Sequence, residues 1–286
     1  MLSIKSFIKL CIVIPLISLM ICGTASAAYI VGGASTTITS GSGCWAWDRE
    51  CVEDFRAALE NPAYFGPAGI VNETITTTTL SSVVSSTLSG IDMFIAPWVS
   101  DADASLFSAE VVSFFLSGGD LFLLQDDSSH DGLGEALGIT TSISDGSVSN
   151  GGPPLFDGPF GTAFNVEQFY SVGQLNAGAI SALNGTIGGI NTSGQVTSAF
   201  WNAGDYAPGA GRLFVIADVD MIATTDGCGD PICGGDYTNL NDNAIYGLNT
   251  FSFISGTAPP VLSAPSMLSL FGLGLLIFAG RRSFKR

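Results

Sequence analysis

Histidine occurs once in this 286-residue chain, as His130, and lysine is missing from residues 28 to 260. In that stretch the basic residues are Arg49, Arg56 and Arg212, set against all 25 acidic residues, a net charge of −22 where the whole chain carries −16. Such a surface repels phosphate backbones and anionic polymers, which excludes nucleic acid as a partner. Charged residues of both signs make up only 12% of the chain, while glycine, serine, threonine and asparagine are plentiful, as in secreted proteins with many loops. No G-x-S-x-G element is present to present a hydrolytic serine on a strand-to-helix turn. The acidic Asp226–Asp242 stretch lacks the ligand spacing of an EF-hand.

Cysteine is also scarce in the body: Cys44, Cys51, Cys228 and Cys233. An even number in an exported chain argues for two disulfides. Cys44–Cys51 and Cys228–Cys233 are the simplest of three connectivities. Metal ligation by the same C-x6-C and C-x4-C pairs has no neighbouring histidine to complete it.

Export is read from residues 1–27. Lys5 and Lys9 precede an apolar core, Leu10 to Ile21, and Ala25-Ser26-Ala27 supplies small residues for cleavage. Cys22 offers a lipoprotein alternative, but Ile21 stands before it where a small residue is expected. At the other end, residues 259–286 contain an apolar run, Met267 to Gly280, followed by Arg281, Arg282, Lys285 and Arg286. Fourteen helical residues reach about 21 Å, short of the roughly 30 Å hydrocarbon core, and a start at Val261 lengthens the segment enough. Basic residues beyond it stay cytoplasmic, leaving the body outside.

The run from Pro265, Ser266, Met267 and Leu268 through "LSLFGLGLLIFAG" to Arg281 and Arg282 resembles the PEP-CTERM sorting signals of exopolysaccharide-producing bacteria. Ser263-Ala264-Pro265 stands where that family has Pro-Glu-Pro. The resemblance implies delivery to the cell envelope, outer surface or extracellular matrix. It also implies an exosortase-like processing enzyme as partner, extracellular polysaccharide nearby, and transient or permanent membrane anchoring by the C-terminal helix. An ordinary tail anchor is the alternative.

Residues 28–258 form the expected extracytoplasmic domain. "IDMFIAP" and "DLFLLQD" are apolar runs expected as buried strands, joined by a helix with Ser108 as N-cap, Val111, Phe114 and Phe115 inward, and Gly118-Gly119 as stop. "GRLFVIADVDMI" predicts another strand, followed by a helix from about Asn243 to Ile254 ended by Gly256. Tyr29 to Gly33 and Thr74 to Thr79 are further strand candidates, and Val52, Phe55 and Leu59 mark an amphipathic helix. Residues 140–200 predict a loop- and β-rich insertion. The expected class is therefore α/β: a flavodoxin-like, open, mostly parallel sheet, with an N-terminal signal helix and a C-terminal transmembrane-like helix. In order, these elements are similar to the class I glutamine amidotransferase-like superfamily, nearest its ThuA-like extracytoplasmic branch.

That superfamily implies a Cys nucleophile after the strand at 121–124, with a later histidine. Here Gln125, Asp126, Asp127 and Ser128 follow, and no body histidine comes after His130. Glutamine transfer is thus not expected. Ser128 or Ser129, His130 and Asp131 are neighbours in one loop, whereas a triad converges from separate segments. What remains is a candidate binding crevice at the carboxyl ends of the strands: Trp98, Asp101, Asp103, Asp126, Asp127, His130, Asp218 and Asp220. Trp98 would stack on a sugar, and the carboxylates would suit calcium; otherwise no cofactor is expected. The same aspartates could simply cap helices and end strands. The leading expectation is a non-catalytic binding or structural domain of the cell surface or matrix. The alternatives are a ThuA-like carbohydrate-active enzyme using carboxylates, and a tail-anchored envelope protein.

Overall fold

A computed structural model describes residues 27–169, 172–224 and 234–256. The signal segment, the sorting segment, Cys228 and Cys233 lie outside the described residues. Among the described residues, no helix is long and apolar enough to cross a membrane.

The chain forms an α/β fold around one large mixed sheet. Five strands are parallel: β1 (Tyr29–Ala34), β2 (Ile75–Leu80), β3 (Met93–Pro97), β4 (Asp120–Leu124) and, far later in the chain, β13 (Leu213–Ile216). Between β4 and β13 the chain makes β5 (Thr141–Ile143), β6 (Val148–Gly151), β7 (Asp157–Gly158), β8 (Gly161–Thr162), β9 (Val166–Glu167), β10 (Gly173–Leu175), β11 (Thr186–Asn191) and β12 (Val196–Trp201). The order across the sheet is β2-β1-β3-β4-β13-β12-β11-β6-β9, with β10 and β5 attached through β12. The stretch expected as an insertion therefore continues the sheet. All six residues of β12 are buried, and it pairs antiparallel with β13, Ser198 opposite Ile216 and Trp201 opposite Leu213.

The apolar runs at β3, β4 and β13 read as continuous because both faces of these strands are covered. Met93, Ile95, Phe122, Leu124, Phe214 and Ile216 point into one core. Phe94, Ala96, Leu121, Leu123, Leu213 and Val215 point into the other. The first core is closed by α1 (Glu53–Leu59) and later by the long C-terminal helix, with Phe55 and Phe251 meeting Phe122. Helices α2 (Ser85–Leu88), α3 (Asp101–Ala104), α4 (Ser108–Leu116), α5 (Gly132–Glu135) and α6 (Ala177–Ala182) contribute Leu88, Ala104, Val111, Phe115, Leu133 and Ile180 to the second. The C-terminal helix, α7 (Asp242–Ile254), is capped by the Asn241 side chain, which accepts from Ala244 N, and stops at Gly256, whose φ is 71°.

Two local expectations are corrected. Ser108 is the first residue of α4 and gives no side-chain cap; Phe107 holds the N-cap position. The apolar run at 213–222 leaves the sheet after Ile216, because Asp218 accepts from Asp220 N and turns Val219–Met221 into a 3-10 turn.

Candidate functional site

Three adjacent parallel strands deliver the candidate residues to one end of the sheet. Trp98 directly follows β3, Asp126 stands two residues past β4, and Asp218 two past β13. Backbone bonds fix these exits: Trp98 N donates to Leu124 O at 2.7 Å, and Gln125 N to Ile216 O at 2.9 Å. Trp98 holds a φ of 43°, in the left-handed region that a non-glycine residue rarely occupies.

The Trp98 indole is held on several sides. Its ring lies parallel to that of His130, centroids 3.7 Å apart, and Trp45 packs against it at 6.1 Å, tilted. Its Nε1 donates to Asp126 Oδ2 at 3.3 Å. One face of the Trp98 ring is thus covered by His130. Trp45 was not foreseen; the signal available was its place beside Cys44 in a short disulfide loop, since Cys44 and Cys51 are bonded, Cα atoms 5.4 Å apart.

Within the loop, Asp127, Ser129 and His130 satisfy one another. Asp127 Oδ1 accepts from Ser129 N at 2.7 Å and from Ser129 Oγ at 2.6 Å, and lies 3.1 Å from His130 Nδ1. Ser129 Oγ is 3.0 Å from that same nitrogen. A catalytic relay needs the acid on one imidazole nitrogen and the hydroxyl on the other. Here both meet Nδ1, and the acid is Asp127. Asp131 turns inward, where its Oδ2 accepts from Thr141 N at 2.6 Å. Gln125, also unforeseen, braces the loop by donating to Asp131 O and accepting from Thr141 Oγ1.

The aspartates divide into structural and unpartnered groups. Asp101 Oδ1 accepts from Asp131 N and Gly132 N, and Asp103 Oδ2 from Gly41 N and Ser100 Oγ, so both knit loops together outside the crevice. Asp218 is wholly buried, with Oδ1 accepting from Asp220 N and Oδ2 from Phe169 N, each at 3.0 Å. In contrast, among the described residues Asp126 Oδ1 and Asp220 Oδ1 are buried without a hydrogen-bond partner. Burial, then the charges of Asp220 and Asp127, push the Asp126 carboxyl up to about 8. Burial pushes Asp220 up to about 7, and burial with the Asp220 and Asp126 charges drives Asp218 well above the carboxylate range. Burial also raises Asp127, but the bonds from Ser129 and His130 outweigh it and leave that group below its ordinary value.

The carboxylates are spread rather than grouped. Among the described residues, no three His, Cys, Asp or Glu side chains are arranged to hold a metal ion. Asp218 has spent its oxygens on backbone N–H groups, and Asp101 faces a helix start. A small space of about 10 Å³, lined by Ala96, Val99, Leu123, Leu124, Gln125, His130 and Leu133, adjoins the loop.

No family model matches the sequence. Nor does any curated protein. Among solved structures the chain is similar to the N-terminal domain of mmIFT52, with a TM-score of 0.47 and 14% identity over 80% of this chain and 97% of that one. It is similar also to the cytoplasmic protein STM3548 from Salmonella typhimurium, with a TM-score of 0.45 and 10% identity over 80% of this chain and 99% of that one.

Proposed function

We propose that this chain is an exported protein of the cell surface or extracellular matrix, carrying a PEP-CTERM-like sorting segment, whose domain binds or supports rather than catalyses. The observation that favours a non-catalytic domain is the mutual bonding of Asp127, Ser129 and His130 in one loop. Ser129 and Asp127 meet the same imidazole nitrogen, and the Trp98 ring covers His130. The parallel strand order β2-β1-β3-β4-β13 is that of a flavodoxin-type sheet, which supports the flavodoxin-like reading of the domain. The address rests on the ends of the chain: the basic, apolar and A-x-A pattern of residues 1–27 and the apolar helix with its arginine cluster in 259–286. An exosortase-like enzyme is the processing partner this reading calls for, and extracellular polysaccharide the surrounding matrix. Intact mass of the protein recovered from the cell surface tests it. Loss of the segment from Met267 onward is expected; a retained basic tail would replace sorting with permanent anchoring.

A second reading has one observation in its favour. Asp126 and Asp220 are buried carboxyls, raised to about 8 and about 7, each with an oxygen that has no partner among the described residues. A carboxyl kept neutral near pH 7 is suited to general-acid work on a glycosidic oxygen. Release of reducing ends from the producer's polysaccharide, abolished by Asp126→Asn, would establish that carbohydrate-active alternative.

A further inference from the structure

At the opposite pole of the sheet lies a cavity of about 550 Å³, within the range of about 300–1,000 Å³ that small-molecule sites occupy. The amino ends of the parallel strands build it. Tyr29 opens β1, Asp120 opens β4, Asp92 immediately precedes β3, and Arg212 immediately precedes β13. Between them the walls are glycine backbone, with Ala203 exposed at the rim.

The polar groups of this cavity are pre-arranged. Asp120 is buried, and its two oxygens accept from Tyr29 Oη and from Arg212 N, each at 2.6 Å. Arg212 Nη1 lies 3.9 Å from Asp120 Oδ2 and donates to Ile254 O at 3.4 Å, which anchors the guanidinium at the end of α7. Among the described residues Arg212 Nε and Nη2 have no partner. Asp92 accepts from Ile30 N through Oδ2 at 2.7 Å, and among the described residues its Oδ1 has no partner. Among the described residues, one wall system therefore offers a carboxylate acceptor and guanidinium donors that have no protein partner.

That combination selects among ligands. With two carboxylates to one guanidinium the walls disfavour an anion, and Arg212 beside Asp120 leaves no purely acidic seat for a metal cation. Glycine backbone and short side chains, with the Tyr29 ring as the one aromatic surface and polar groups between them, suit a small ring with polar edges. A sugar hydroxyl both donates and accepts, so neighbouring hydroxyls satisfy a carboxylate and a guanidinium together. We propose that this cavity binds a neutral sugar ring, with Asp92 Oδ1 accepting from one hydroxyl and Arg212 donating to the oxygen of the next. The site is distinct from the carboxyl-end crevice and does not depend on how the chain is exported.

Saturation-transfer NMR on the full chain, held in a non-glycosidic detergent, tests this with millimolar glucose, galactose and mannose as probes and glucuronate and glucosamine as charged controls. Saturation is expected on the ring protons of at least one neutral sugar, weaker on both controls. Asp92→Asn keeps an acceptor for Ile30 N but loses the carboxylate, and should weaken binding by about tenfold or more. Ala203→Trp, a change at the exposed rim, should block the cavity with the thermal melt unchanged. No transfer to any neutral sugar, transfer strongest for a charged control, or transfer that survives Ala203→Trp in a folded protein would overturn the proposal.

Discussion

The indole of Trp98 and the imidazole of His130 lie face to face, centroids 3.7 Å apart and planes 10° from parallel. The stack joins the residue after β3 to the loop after β4. It holds Trp98 at a φ of 43°, a conformation that costs a non-glycine residue about 1–2 kcal/mol. Two opposed effects at Trp98 can therefore be separated. Trp98→Ala loses the stack and keeps the strain, and should destabilise the fold by about 2 kcal/mol, below the loss for a fully buried aromatic. Trp98→Gly loses the same stack but relieves the backbone, and should be more stable than the alanine variant by about 1 kcal/mol. Urea unfolding of both variants checks this; a glycine variant less stable than the alanine one would mean that φ at this position carries no strain.

Asp126 predicts a pH dependence with a definite sign. Its folded value of about 8 lies above the ordinary 3.8, so the native state keeps the proton while the unfolded chain sheds it. Folding stability then falls as pH rises through the window from about 4 to about 8, and Asp220 adds the same sign up to about 7. Asp126→Asn removes one titration, which should flatten this slope. It should also stabilise the protein at pH 8 by about 1–2 kcal/mol, discounted because solvent still reaches the site. Melting temperatures of the parent and variant across that pH range are the measurement.

Gly33 in β1 faces the fully buried Trp47, and a β-carbon there would overlap the indole Cγ and Cβ. The indole is packed on all sides and cannot yield. Gly33→Ala should cost about 3 kcal/mol, at the upper end of overpacking penalties, where alanine in an open strand position is nearly neutral. A denaturant midpoint equal to the parent's would show that Trp47 repacks freely.

The Cys44–Cys51 bond closes a short loop that also carries Trp45 against Trp98. Replacing both cysteines with serine should lower stability by about 2–3 kcal/mol on the loop-entropy model. It should also loosen the Trp45 contact, visible as a change in near-ultraviolet circular dichroism. Alkylation of the unfolded, unreduced protein followed by mass measurement should find Cys44 and Cys51 unmodified.

Much of the fold is legible in local pattern. Buried parallel strands announce themselves as unbroken apolar runs, and "MFIAP", "DLFLL" and "LFVI" became β3, β4 and β13. The helix anticipated from Val52, Phe55 and Leu59 formed with all three side chains buried. Gly118 and Gly256, both at positive φ, ended their helices as expected. The antiparallel half was harder. Its strands are two to six residues long, rich in glycine and serine, and stable only through pairing that the sequence does not announce.

The candidate site was half legible. Strand ends bring Trp98, Asp126 and Asp218 together because parallel topology places all carboxyl termini at one pole. Which aspartate meets His130 was not legible: Asp131 is the neighbour in sequence, yet Asp127 makes the contact. Side-chain direction within a tight loop depends on what the loop packs against, and Thr141 draws Asp131 inward.

The sequence alone determines the strong negative charge of the body and the α/β alternation of its best-defined stretches. Composition and periodicity are local properties that no partner can alter. Only the tertiary structure decided that Trp98 and His130 stack on each other at the carboxyl ends, that Asp218 is spent on backbone, and that an open cavity with Asp92, Asp120 and Arg212 in its walls sits at the amino ends. Each of these depends on contacts between residues far apart in the chain, such as Tyr29 with Asp120 or Phe169 with Asp218. Such contacts exist only once the strands have taken their order in the sheet.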